Sequence, residues 1–156
     1  MIDQSFVFYI PNQKLVSHKT LKNHFLQNTK EFIKEQAKKK TNIVKILSIF
    51  EQKENLFIVF EFCEGGNLFE YIKSKEGGLE EFEVVSRLHQ LGNAIFNLYS
   101  QKRNFLNLTP YSILFSNTEK DAVLKIFDFG NFNFLKSVLF KDEFDLFYSA
   151  PEFSQK

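Results

Sequence analysis

The residues that could do chemistry gather between Phe105 and Gly130, a stretch reading FLNLTPYSILFSNTEKDAVLKIFDFG. Two apolar runs, Ser112 to Phe115 and Val123 to Phe127, flank a polar turn at Asn117 to Asp121, which predicts a β-hairpin. Asp128 follows the second arm at once, and Gly130 lets the backbone leave in a direction a β-carbon would hinder. The first arm begins just after Asn107-Leu108-Thr109-Pro110. A carboxylate at a strand end beside such a loop is a geometry for holding a metal ion and phosphates. Asn107 brings an amide that cannot be protonated near neutral pH, although its carbonyl accepts hydrogen bonds. Ser112 brings a neutral hydroxyl, a poor metal ligand beside a carboxylate or amide oxygen.

Something must position these groups, and the composition supplies a packed core. Of 156 residues, 44% are hydrophobic and 25% charged, which excludes a disordered chain. Twenty-one Phe and no Trp imply that Phe takes core positions usually held by Leu, Met or Tyr. A net charge of +1 gives no electrostatic footprint for nucleic acid. The single cysteine, Cys63, excludes an internal disulfide framework and fits a reducing compartment. No segment has the order of a signal peptide, and no run is long enough to span a bilayer.

Taken in order, Phe6 to Ile10 and Lys14 to His18 read as strands around a turn at Pro11 to Gln13, with Lys19 at the end of the second. Residues 24 to 40 read as a helix whose apolar face carries Phe25, Leu26, Thr29, Phe32, Ile33, Gln36 and Ala37. Lys38 to Lys40 then offset its macrodipole. A third hairpin joins Ile43 to Phe50 with Leu56 to Phe62 through Glu51 to Asn55. Asn67 caps a helix from Leu68 to Lys73, and Gly77-Gly78 close it. A longer helix runs from Glu80-Glu81 to Tyr99, with Val84, Val85, Leu88, Leu91, Ala94, Ile95 and Leu98 on its expected buried side. His89 has no acidic or cysteine partner at ligand spacing, and it reads, like His18 and His24, as an ordinary surface or boundary histidine.

This order of elements resembles the protein kinase family. Asp128-Phe129-Gly130 is similar to its magnesium-binding D-F-G, and Asn107 to Ser112 occupies its D-L-x-x-x-N catalytic loop. Val16 to Lys19 resembles V-A-I-K, Asn42-Ile43-Val44 resembles the end of H-P-N-I-V, and Ala150-Pro151-Glu152 resembles A-P-E. Glu61 to Leu68, reading E-F-C-E-G-G-N-L, resembles the hinge. The resemblance implies nucleotide contacts at Lys19, Glu31, Phe60, Glu61, Cys63, Leu114 and Asp128. Phe60 takes the gatekeeper position, and the backbone of Glu61 to Cys63 would bond adenine. Asp128 would hold magnesium. The glutamate that pairs with the strand lysine is Glu31 by counting back from Asn42, Thr29 by the apolar face, or Glu35 by separation from Lys19.

The chemistry departs from the family at several positions. Asn107 stands where an aspartate would act as base, and Ser112 where an asparagine would hold one magnesium. Thr109 replaces the lysine that would touch the γ-phosphate, and Leu106 the arginine that receives a phosphorylated activation loop. No glycine precedes Gly65, so the phosphate-covering Gly-rich loop is missing.

The expected fold is α+β and kinase-like, with a small antiparallel β lobe and one helix in residues 1–62 and a partial, mostly helical lobe in 63–156. The resemblance covers only the front part of the family's domain, so the chain reads as truncated. The expected function is an ATP-binding pseudokinase with a regulatory or scaffolding role, cytoplasmic or nuclear. The alternatives are an active Ser/Thr kinase, a branch that Pro110 favours, and a pure interaction module without nucleotide. Exposed apolar residues between 131 and 149 imply self-association or a protein partner, with no nucleic acid and no membrane.

Overall fold

In the computed structural model, residues 5–10, 19–37, 42–53, 55–100, 108–127 and 148 are described, with side chains from Asn23 onward except His24. Elements run β1 (Ser5–Ile10), α1 (Lys19–Gln36), β2 (Ile46–Gln52), β3 (Asn55–Glu61), α2 (Leu68–Lys73), α3 (Glu81–Ser100), β4 (Ile113–Phe115) and β5 (Leu124–Ile126). A three-stranded sheet in the order β1-β3-β2 lies on one side and a two-stranded hairpin, β4-β5, on the other. This is the α+β, kinase-like arrangement expected.

The upper sheet is antiparallel throughout, and its central strand β3 alternates buried and half-buried residues, as a period of two requires. Leu56, Ile58 and Phe60 form its buried row. In register they stand opposite Ile10, Phe8 and Phe6 of β1. On the far side of this row α1 contributes Phe25, Thr29, Phe32 and Gln36 at helical spacing, all buried. Leu26 and Ile33 are partly buried against the same core, whereas Ala37 is exposed. Gln36 is the polar member that closes the packing. Its amide donates to Val44 O at 3.1 Å, and its Oε1 accepts from Ile46 N at 3.0 Å.

Two expectations need correction here. Lys19 opens α1 instead of ending a strand, and the proposed strand Lys14 to His18 lies outside the described residues. The pairing partner that the structure gives β1 is β3, far away in sequence. The third hairpin is present, but its first arm starts at Ile46. Ile43 leaves the upper sheet and pairs in parallel with Ile126 of β5.

The second correction concerns α3. Its buried residues are Arg87, Ala94 and Leu98, with Leu91 partly buried, while Val85 and Leu88 are each 59% exposed. Along the stripe at 87, 91, 94 and 98, Arg87 and Leu91 face the β4-β5 hairpin, and Leu98 joins the upper core. The Arg87 guanidinium donates to Ala122 O and Lys120 O and lies 5.0 Å from the Phe115 ring. A lower core of Ile113, Phe115, Ala122 and Leu124, flanked by Leu68, Tyr71 and Leu91, fills the space between. At the head of α2, Asn67 accepts from Glu70 N at 2.9 Å, the cap its sequence predicts.

Candidate functional site

The junction between the sheets is where Phe60, Glu61, Cys63 and Leu114 of the expected site residues meet. Phe60 ends the buried row of β3, fully enclosed, and its ring tilts against Phe127 at 4.9 Å between centroids. Cys63, Leu114 and Phe127 pack on the same core from below. Leu114 is bridged to Asn67, and Gly65 and Gly66 exchange backbone hydrogen bonds with Phe115 at 3.1 and 2.9 Å. The chain crosses here so closely that a β-carbon on Gly65 would meet Asn117 O at 2.1 Å. The glycine is therefore required by close approach.

Glu61 adds a feature that the sequence reading missed. Its Oε1 accepts from Lys45 N at 2.8 Å, and its Oε2 lies 2.7 Å from Lys125 Nζ. The signal was a lone lysine between Leu124 and Ile126, an apolar run in which a cation needs a nearby anion. Beside them, burial pushes the Cys63 thiol up to about 11; the Glu61 carboxylate adds to the rise and Lys125 opposes it.

Of the expected ion pair between strand lysine and helix glutamate, the side chain of Lys19 lies outside the described residues. Glu31 is exposed on α1 and accepts from Gln27 Nε2 at 3.4 Å, and Glu35 is exposed as well. Lys19 begins the same helix. At 1.5 Å rise per residue, the backbones of Lys19 and Glu31 stand about 18 Å apart along the axis. Thr29 is the candidate that is buried, and its hydroxyl donates back to Phe25 O at 2.8 Å.

The catalytic-loop positions are closed on themselves. Ser112 Oγ donates to Thr109 O at 2.9 Å and accepts from Thr109 N at 3.0 Å. Ser112 N in turn reaches Thr109 O at 3.0 Å and Thr109 Oγ1 at 3.3 Å. Both residues are buried. The Ser112 hydroxyl thus donates once and accepts once within its own turn. At the hinge, Cys63 and Leu114 pack as apolar neighbours on the core that contains Phe60. Asn107 and Asp128 lie outside the described residues, as do residues 131–147 and 149 of the apolar segment.

Among the described residues no group of three or more His, Cys, Asp or Glu could hold a metal ion. No described helix is long and apolar enough to cross a membrane.

Comparison with known proteins agrees with the fold. Calcium-dependent protein kinase 5 of Plasmodium falciparum is 32% identical over 117 residues, covering 71% of this chain and 20% of that protein. Calcium-dependent protein kinase 31 of Arabidopsis thaliana is 33% identical over 119 residues, 73% of this chain and 25% of that protein. CDPK-related kinase 4 of Arabidopsis thaliana is 33% identical over 95 residues, 61% of this chain and 16% of that protein. The chain thus spans a quarter or less of the length of these relatives. The sequence profile of the protein kinase domain matches residues 7–156, nearly the whole chain, and the chain belongs to the protein kinase family.

Proposed function

We propose that this protein is a pseudokinase, a kinase-fold domain with a regulatory or scaffolding role and little phosphoryl transfer. The observation that carries the reading is the closed turn at Thr109 and Ser112, which spends the loop's remaining hydroxyls on its own backbone. Asn107 adds to it, because an amide cannot serve as base. General acid–base help is worth roughly 10²–10⁴-fold in rate, so its loss alone removes useful turnover.

Adenine recognition depends on the backbone of Glu61 to Cys63 and on apolar contact with Phe60 and Leu114, none of which requires a catalytic loop. In this reading ATP binds weakly there, and Asp128 is the residue that would hold a magnesium ion. One observation favours a second reading, an interaction module without nucleotide: Lys19 and Glu31 ride the same helix. The lone free thiol, Cys63, suits the reducing cytoplasm or nucleus.

Labelled ATP with magnesium and a generic acceptor protein tests the first claim. We expect no label above a blank, and transfer abolished by Asp128→Ala would overturn it. A thermal melt separates the two readings. A bound nucleotide raises stability by about 2.7 kcal/mol at a hundredfold excess over Kd. A folded protein whose midpoint ignores millimolar ATP is the interaction module.

A further inference from the structure

We propose that the open face of α3 seats α3 of a second copy of this chain, antiparallel and crossing at Gly92. Val85, Leu88, Gly92, Ile95 and Tyr99 are all exposed, and they recur at steps of three, four, three and four residues. That is the spacing of a helix-pairing seam. It runs about a third of a turn away from the inward stripe at 87, 91, 94 and 98. Gly92, at its centre, points to a helix as the occupant. Glycine in a helix interior is less favourable than alanine, so its use there calls for a neighbour that a β-carbon would obstruct. Its own chain supplies none, since a β-carbon on Gly92 would meet no atom within 4 Å. Gly65, by contrast, is accounted for by Phe115 and Asn117 of its own chain. How closely two helices approach depends on the side chains at their crossing, and an exposed glycine in an apolar seam permits the shortest separation.

Symmetry and charge select a second copy and set its direction. A two-fold axis through Gly92 places Leu88 opposite Phe96 of the other copy and Val85 opposite its Tyr99. Each aliphatic position in the first half of the seam then meets an aromatic one from the second half, so the face complements itself. The start of α3 is acidic, with Glu80 and Glu81 exposed, and its last turn carries no charge of that sign. Parallel helices would bring those carboxylates together. Antiparallel ones set them against the opposite end, beyond which the sequence continues Gln101-Lys102-Arg103. Antiparallel alignment also opposes the two helix dipoles.

Two experiments on the intact chain test the pairing: sedimentation of Gly92→Leu, and cross-linking of a mixture of Leu88→Cys and Phe96→Cys with a short bismaleimide. Leucine favours a helix over glycine and has open space in the monomer, so the variant monomer should melt no lower than the wild-type monomer. In the dimer the added side chains of both copies collide at the crossing, and the dissociation constant should rise about tenfold or more. Cross-links should join position 88 of one chain to position 96 of the other, told apart from the native Cys63 by peptide mapping. A wild-type chain that stays monomeric at micromolar concentration would overturn the proposal. So would a Gly92→Leu chain that associates as tightly as wild type. A Gly92→Leu monomer that melts lower would overturn it too, because the glycine would then be required by its own chain. Cross-links that are absent, or that join 88 to 88 as a parallel pair would, count equally against it.

Discussion

Cys63 lies beside Glu61 in a partly buried setting that raises its thiol from 9.0 to about 11. Burial is the main cause, since a thiolate loses solvation there, and the neighbouring carboxylate repels it further. The thiolate is the reactive form, so Cys63 should alkylate far more slowly than a free thiol at neutral pH. The rate should climb as pH approaches about 11, and in Glu61→Gln the climb should start at lower pH. Iodoacetamide labelling of folded protein against pH checks both; fast labelling at pH 7 would contradict them. The sign for stability follows from the same shift. Unfolded chain releases this proton near 9.0 and folded chain near 11, so folding weakens as pH rises from 9 toward 11. At the same scale, Ser112→Ala removes the acceptor of buried Thr109 N. It should cost about 1–3 kcal/mol in a denaturant titration, the penalty for a buried donor left unpaired. A neutral result would mean that the turn holds without the serine.

Among the elements, the β4-β5 hairpin depends on Arg87 more than on its own short strands. Three-residue strands make few ladder bonds, and the guanidinium instead caps the turn carbonyls of Lys120 and Ala122 from α3. Arg87→Met keeps the bulk and loses those donors. It should destabilise by about 1–3 kcal/mol and loosen amides at 116–124 first, since the buried Ala122 carbonyl then lacks a partner. Uniform loosening across the molecule would show that the arginine acts only through general packing. Elements of this kind mark how far the sequence could be read. The hairpin, the Asn67-capped α2 and the hinge run were legible because turn residues and caps act within a few positions. The start of α1 was not, because its first turn carries no acidic residue and Val16 to Lys19 looks like strand. The buried side of α3 was legible only toward its C-terminal half, where Leu91, Ala94 and Leu98 are buried or partly buried as expected. Apolar spacing shows that a helix has an apolar side, but its width here exceeds what the hairpin covers, and the choice fell to a charged residue. In the candidate site, the family pattern pointed to Phe60, Cys63 and Leu114, and the three share one core. The engagement of Glu61 by Lys125 and the closure of Ser112 on Thr109 depend on tertiary placement and local rotamers that no motif encodes.

For the molecule as a whole, the decisive feature is the side of α3 turned away from the hairpin. Phe82 is 85% exposed, Tyr99 75% and Phe96 69%, and Val85 and Leu88 extend the same apolar surface. Single exposed apolar residues are ordinary, but a helix-long run of them is a candidate surface for association. Burying one large apolar side chain is worth roughly 1.5–3 kcal/mol, so covering several would drive association at micromolar concentration. The protein should therefore sediment as a dimer or larger species in that range. Phe82→Glu with Phe96→Glu should return it to monomer without lowering the melting midpoint, because neither ring belongs to a buried cluster. Analytical ultracentrifugation and a thermal melt of the same samples separate the outcomes. A wild-type monomer at every concentration would assign this face to a different protein or to more of the same polypeptide. A drop in the midpoint of the double variant would show that α3 packs more of its length than the two cores include.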